Sequence, residues 1–250
     1  MSGESVALPA VEVPAGSCWF VATPIGNLGD VGLRALSVLA SCDVIYAEDT
    51  RSARRLLGHF DLQRPLESYH DHNKQRAVPR ILARLAAGES VAVVSDAGMP
   101  CVADPGFTLV RALREAGRTW TVVPGPSSVL AGLVLSGFEP DRFTVAGYAP
   151  RKKGARTRWL EGLLGLETTV IILESVHRIR STLELVATLA PTREVAVCRE
   201  MTKLHEETLR GTADEVCERL TGPRLKGELV LLLRGTLARP RDDEIGRAHV

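Results

Sequence analysis

Residues 90–107 read SVAVVSDAGMPCVADPGF. The first five are small or β-branched and form the kind of continuous apolar run that marks a buried strand. A loop rich in Gly, Pro and Asp follows, SDAGMPCVADPG at 95–106, and a helix-like pattern then runs over 107–116. Asp104 stands where an N-cap belongs, and Pro105 suits the first helical position. Strand, glycine-bearing loop and helix in this order make one step of a βαβ unit.

The same alternation extends in both directions. Strand-like runs fall at 18–23, 44–47, 90–94, 119–123, 142–146, 168–173, 194–198 and 228–233. Helix-like stretches fall at 31–41, 52–60, 74–87, 107–116, 127–136, 156–164, 179–190 and 212–220. Asp30 and Asn73 stand at N-cap positions, and Gly88 and Gly117 suit helix ends. Pro79 conflicts with its helix and implies a kink or a later start. The pattern predicts an α/β fold with largely parallel sheets. The turn-rich PGPSS (124–128) divides it into two α/β lobes, 17–123 and 124–236. Residues 1–16 read as a disordered leader and 237–250 as a tail. Within the tail, EIGRAHV (244–250) matches a translated sequencing adapter and is set apart from the fold.

Composition narrows the function. Lys+Arg is 31 against Asp+Glu 30, a net charge of +1, so no general basic coat exists and a polyanion must be met locally. Aromatic residues are only 4%, too few for a platform that stacks single-stranded bases. The five cysteines are scattered without a CxxC pair, as expected of free thiols in a reducing compartment. With no basic n-region at the start and no long apolar run, the sequence predicts a cytoplasmic protein without membrane contact.

Three loops follow strands and carry Gly, Pro or Asp: TPIGNLGD (23–30), SDAGMPCVADPG (95–106) and PGPSS (124–128). Ligands in open α/β sheets bind beyond the carboxyl ends of strands, where glycine lets a ligand meet backbone groups. Tight turns alone would also use these residues. The chain contains neither GxGxxG nor GxxxxGK[ST], so the usual dinucleotide and P-loop fingerprints are absent. His70-Asp71-His72 is the nearest approach to a metal cluster and reads better as hydrogen bonding or RNA contact, so no metal is expected. In AEDTR (47–51), Glu48 and Asp49 end a strand; catalysis and helix capping both fit them. RKKGARTR (151–158) has five basic residues in eight and no acid, which suits phosphate contact or a solvated loop. ESVHR (174–178) and CREMTKLHEE (198–207) again set charged residues at strand ends.

Taken in order, ATPIGNLGD, AEDTR, SYHDHN, VSDAGMPCVADPG, PGPSSVLAGLVLSG, APRKKG, ESVHR and REMTKLHEE resemble the tetrapyrrole methylase superfamily. Within it they resemble the branch that methylates a cytidine ribose 2′-hydroxyl in 16S ribosomal RNA, at position 1402 by family likeness. Val176 departs from the branch's usual Pro, and Cys101 stands where Gly is common.

The resemblance implies two α/β lobes with S-adenosylmethionine in the cleft between them, usually in a homodimer. It places Pro24, Gly26, Asp96, Ala97, Gly98, Asp104, Ser127, Ser128, Ser175 and His177 at the cofactor. It implies RNA of the small ribosomal subunit as the partner, gripped by Arg51, Arg151, Lys152 and Lys153. Glu48, Asp49 and Lys203 are candidate bases for the ribose hydroxyl, and a lysine base needs its pKa lowered. The alternatives are a tetrapyrrole C-methyltransferase on the same fold and a non-enzymatic ribosome assembly factor.

Overall fold

The computed structural model describes residues 7–101, 106–222 and 225–236. The chain divides into two compact units, Met1–Ser127 and Ser128–Val250.

In the first unit, β1 (Cys18–Val21), β2 (Val44–Ala47), β3 (Leu66–Ser68), β4 (Val91–Val94) and β5 (Trp120–Val123) form a sheet in the order β3-β2-β4-β1-β5. Every pair is parallel. The helices are α1 (Leu33–Ser41), α2 (Thr50–His59), α3 (Lys74–Ala86) and α4 (Gly106–Glu115). Val38, Leu39, Ala53 and Leu57 bring α1 and α2 against one face of the sheet. Ile81, Leu85, Leu109 and Leu113 bring α3 and α4 against the other. Covered on both sides, β2 and β4 are buried at every residue, which is why VIYA and VAVV show no polar alternation.

The second unit holds α5 (Ser128–Ser136), β6 (Phe143–Tyr148), α6 (Lys153–Leu164), β7 (Thr169–Glu174), α7 (Ile179–Leu189), β8 (Glu194–Arg199), β9 (Glu207–Thr212), α8 (Ala213–Arg219) and β10 (Leu229–Leu233). Its sheet runs β6-β7-β10-β8-β9. Here the expectation of a largely parallel sheet fails. Only β6 and β7 pair in parallel; β10 runs antiparallel to both β7 and β8, and β9 antiparallel to β8. Leu160, Leu183, Val186 and Val216 pack α6, α7 and α8 on one face. On the other face α5 approaches closely through Gly132, where a Cβ would stand 3.2 Å from Val230 Cγ1.

Local signals held in part. Gly88 and Gly117 adopt φ of +89° and +62° just beyond their helices. Asp30 does not cap α1: it closes a 3-10 turn at Leu28–Asp30, and Gly32 is the N-cap. Asn73 is the N-cap of α3 but turns its amide to the preceding loop instead of the helix. Pro79 sits inside α3, which starts at Lys74 all the same. Asp104, the leader's first six residues and the tail from 237 onward lie outside the described residues. Among the described residues no helix is long and apolar enough to cross a membrane.

Candidate active site

A parallel sheet puts every strand's carboxyl end on one edge. The register of the first sheet aligns Ser68, Ala47, Val94, Val21 and Val123 across that edge. The loops that leave from these residues are SYHDHN, EDTR, SDAGMP, ATPIGN and PGPSS in turn. The sequence motifs of this unit therefore share one edge. The chain steps outward from β2 to β3 and returns past β2 to β4, changing face as it does so. Such a reversal opens a crevice at the carboxyl ends. Across it the Asp49 N–H donates to Asp96 Oδ1 at 2.8 Å.

Three of these loops are fastened to each other. Thr23 N–H donates to Gly98 O at 2.9 Å, and Gly98 N–H donates back to Thr23 O at 3.0 Å. The Thr23 hydroxyl donates to Ser95 O at 3.2 Å, and the Ser95 hydroxyl to Gly98 O at 3.0 Å. Gly98 adopts φ +82°, and a Cβ there would lie 3.3 Å from Ile25 Cγ2 and 3.4 Å from Pro126 O. A Cβ on Gly125 would lie 2.8 Å from Ala22 Cβ. Gly98 is required by its left-handed φ and Gly125 by close approach, where the loops after β1, β4 and β5 meet. Pro24 is buried at this junction, while Gly26, Asp96 and Ala97 remain exposed.

The second unit builds its edge differently. β6 and β7 run together, and β7 and β8 flank β10 with Glu174 and Arg199 both paired to Leu229. APRKKG, ESVHR and REMTKLHEE therefore also leave from one edge. Glu174 is the hub of ESVHR, with a side chain fully removed from solvent. It accepts from Ser175 N–H at 2.9 Å and from the Thr182 hydroxyl at 2.8 Å, and it pairs with Arg178 Nη2 at 2.9 Å. Arg178 Nη1 donates onward to Ala149 O at 2.7 Å, at the root of the RKK segment. In the neighbouring loop Lys203 Nζ meets Glu200 Oε1 at 3.0 Å and Glu228 Oε2 at 3.3 Å. Glu200 and Thr202 hold φ of +49° and +66°, a conformation that costs of order 1–3 kcal/mol per side-chain-bearing residue.

A family model of tetrapyrrole (corrin/porphyrin) methylases matches residues 17–217. The chain belongs to the tetrapyrrole methylase family. That membership makes it a methyltransferase. Among relatives of this tetrapyrrole methylase, a "Ribosomal RNA small subunit methyltransferase I" of Xylella fastidiosa is 45% identical over 88% of this chain and 82% of its own length. The proteins of that name from Halalkalibacterium halodurans and Thermotoga maritima are 40% and 39% identical, over 92% and 88% of this chain and 80% and 99% of their own lengths. A uroporphyrin-III-C-methyltransferase structure from Thermus thermophilus superposes with a TM-score of 0.63 at 21% identity, over 88% of this chain and 94% of that one. A cobalt precorrin-4 methyltransferase structure gives 0.66 at 16%, over 88% and 95%. At these identities the structures establish the fold.

Charge states separate the candidate bases of this methylase. Asp49 is the N-cap of α2, accepting from Arg51 N–H at 2.8 Å, and the Arg51 guanidinium grips it at 2.7 Å. These bonds hold the Asp49 carboxyl down at about 2, so it is a weak proton acceptor. Burial alone would lower the Lys203 pKa, but Glu200 and Glu228 outweigh it and raise the amine above its ordinary value. The lowered pKa that a lysine base needs is not found there. Glu48 is half-buried beside the same crevice and has interactions of its own.

The basic segment stands out by its lack of partners. Arg151, Lys152 and Lys153 are exposed, and none has an ion-pair partner among the described residues. They lie at the start of α6, where Lys152 is the N-cap and the helix dipole disfavours cations by about 0.3–1 kcal/mol each. Local stability therefore does not account for them. Sequence reasoning singled out Ser175 and His177 in ESVHR. The structure gives the anchoring to Glu174 and Arg178, with Ser175 bonded to both and His177 exposed. Sequence reasoning missed Thr23 and Ser95 as fasteners of the glycine loops, although each opens its motif. Ser127 and Ser128 are half-buried at the division between the units.

Proposed function

We propose that this methyltransferase moves a methyl group from S-adenosylmethionine to the ribose 2′-hydroxyl of a cytidine in 16S RNA of the small ribosomal subunit. It would act in the cytoplasm as a homodimer. The observation that carries the reading is near-full-length identity, up to 45%, with proteins named for methylation of small-subunit ribosomal RNA. The glycine junction supports it: the loops after β1, β4 and β5 pack together around Gly98 and Gly125 at the carboxyl edge where open α/β sheets bind ligands. We assign the donor to Pro24, Gly26, Asp96, Ala97, Gly98, Ser127 and Ser128 on that basis; Ser175 and His177 are assigned to it on the family resemblance of ESVHR alone.

When bound, S-adenosylmethionine supplies a methyl already activated on a sulfonium sulfur. The chain's own work is then alignment and proton removal. Rigid loops hold the attacking oxygen in line, and such positioning is worth up to about 7–11 kcal/mol of a barrier. A carboxylate that takes the hydroxyl proton adds roughly 10²–10⁴-fold. Asp49 is committed to its cap and to Arg51, and Lys203 is held charged, so Glu48 is the proposed base. Arg151, Lys152 and Lys153 face solvent with charge to spare for phosphates, and Arg51 lies beside the crevice with most of its side chain exposed.

The deciding experiment offers labelled S-adenosylmethionine with either small ribosomal subunits or uroporphyrinogen. Label in the RNA ribose supports the proposal. Label in the porphyrinogen makes the chain a tetrapyrrole C-methyltransferase, and particle binding without donor affinity makes it an assembly factor.

A further inference from the structure

The near-neutral chain hides a local imbalance. Residues 50–86 contain eight Lys and Arg against three Asp and Glu, so the remainder is net negative. This stretch forms α2, β3 and α3 at the free edge of the first sheet. Several of its charges are used internally. Arg51 pairs with Asp49, Lys74 with Asp71 at 2.9 Å, and Arg84 with both Glu67 and Glu89 at 2.5 Å. Glu67 also accepts from the Tyr46 hydroxyl at 3.0 Å, so its charge is fully engaged.

Arg76 and Arg80 are different. Both are exposed on α3, and neither has an ion-pair partner among the described residues. They stand four residues apart on one helix face, with Arg84 one turn further. Like charges at that spacing cost an isolated helix about 0.2–0.5 kcal/mol per pair, so stability does not explain the stripe. Both residues line a groove of about 710 Å³, together with Tyr46, Glu67, Ser68 and Asn73. Ser68 ends β3, so the groove begins at the carboxyl edge, where EDTR and SDAGMP also emerge, and runs back along α3.

We propose that this β3–α3 groove is a docking track for an RNA phosphate backbone, with Arg76 and Arg80 as the phosphate ligands. The inference rests on the reading of the acceptor as RNA, and adds Arg76 and Arg80, which lie outside every sequence motif, to a surface that begins at the SYHDHN loop. The lining favours a polyanion over a protein partner. It holds two guanidiniums without ion-pair partners among the described residues, and its one carboxylate, Glu67, is paired with Arg84 and accepts from the Tyr46 hydroxyl. Guanidinium forks match phosphate oxygens two at a time.

The test compares wild type with Arg76→Glu/Arg80→Glu and with Arg76→Lys/Arg80→Lys, using purified small ribosomal subunits from about 50 to 200 mM salt. The Glu variant is expected to bind particles about tenfold more weakly, with the slope of log affinity against log salt shallower by about 1–2. S-adenosylmethionine affinity and melting temperature stay at the wild-type values, since both side chains are exposed. The Lys variant keeps the salt slope. Unchanged particle affinity in the Glu variant overturns the proposal. So does a loss of affinity without a change in slope, which would place a protein in the groove. Wild-type methyl transfer to the particles is scored separately: its absence defeats the RNA methyltransferase reading, while its presence with an indifferent Glu variant defeats only the groove.

Discussion

The two units reach the same end by different means. Each sheet gathers its motif loops on one carboxyl edge, but the first unit fastens them through backbone and short polar side chains and the second through a buried ion pair. In the first, the Thr23–Gly98 exchange and the contacts beneath Gly98 and Gly125 are made by main chain and small residues. In the second, one buried carboxylate, Glu174, joins β7, α7 and, through Arg178, the segment ahead of Lys152. A backbone junction tolerates many side chains except where a Cβ has no room. A side-chain hub fails when a single group is removed.

That contrast is broken most directly at Glu174. Replacing it with Ala strands Arg178 and unpairs the Thr182 hydroxyl. Deleting one partner of a buried pair costs about 3–5 kcal/mol, and partial exposure of Arg178 puts the expectation near the lower end, about 3 kcal/mol. Urea denaturation measures it. A loss under 1 kcal/mol would remove Glu174 as the hub.

The first unit answers at Gly125. Gly125→Ala sets a methyl 2.8 Å from Ala22 Cβ, and overpacking of this kind costs about 1–3 kcal/mol. Donor affinity, read by calorimetry, should fall about tenfold for each 1.4 kcal/mol transferred to the junction. Gly154→Ala in α6 is the control: a Cβ there meets nothing within 4 Å, and the helix should gain rather than lose stability. Unchanged donor affinity in Gly125→Ala would separate the junction from the donor site.

Alkaline pH sharpens the comparison from within the first unit's core. Burial pushes the Cys18 and Cys42 thiols up to about 12, from 9.0. The unfolded chain ionises these thiols above pH 9 while the native chain holds them neutral. Stability is therefore fully present below pH 9 and declines as pH rises toward 12, by up to about 1.4 kcal/mol per pH unit for each thiol. Melting temperatures from pH 8 to 11 should fall, and Cys18→Ala/Cys42→Ala should flatten the fall. Cys198 and Cys217 shift in the same direction in the second unit, so a residual slope is expected.

Much of the first unit was legible because its strands are short, apolar and set off by Gly and Pro. Two strands were not. LES at 66–68 is only three residues long, and ETLRGT at 207–212 carries Glu and Arg on an edge strand that faces solvent. The direction of LVLLL at 229–233 was equally hidden, since a strand buried on both faces looks the same whether its neighbours run with it or against it. The motif loops were placed correctly on strand ends, yet the partner of each side chain within them was not. ESVHR reads alike whether Ser175 or Arg178 is the anchor. Only the register that brings Ala149 beside it decides.

Lys203 gives the smallest effect and tests the sequence reading of the second edge. Its loop exists to seat Glu200: a Cβ on Gly227 would fall 2.0 Å from Glu200 Oε1, and the Glu228 N–H donates to that same oxygen at 3.1 Å. Lys203 neutralises the two carboxylates gathered there, and both it and Glu200 retain solvent contact. Partly exposed pairs contribute about 0–1 kcal/mol, so Lys203→Met should cost no more than that. An amine held protonated takes no proton from a ribose, so kcat and its pH profile should also survive. Glu48→Gln should instead lower kcat with donor affinity intact. Were Lys203→Met to abolish transfer and shift the pH profile while Glu48→Gln remained active, the base would belong to the second unit, and the first unit's crevice would be left with binding alone.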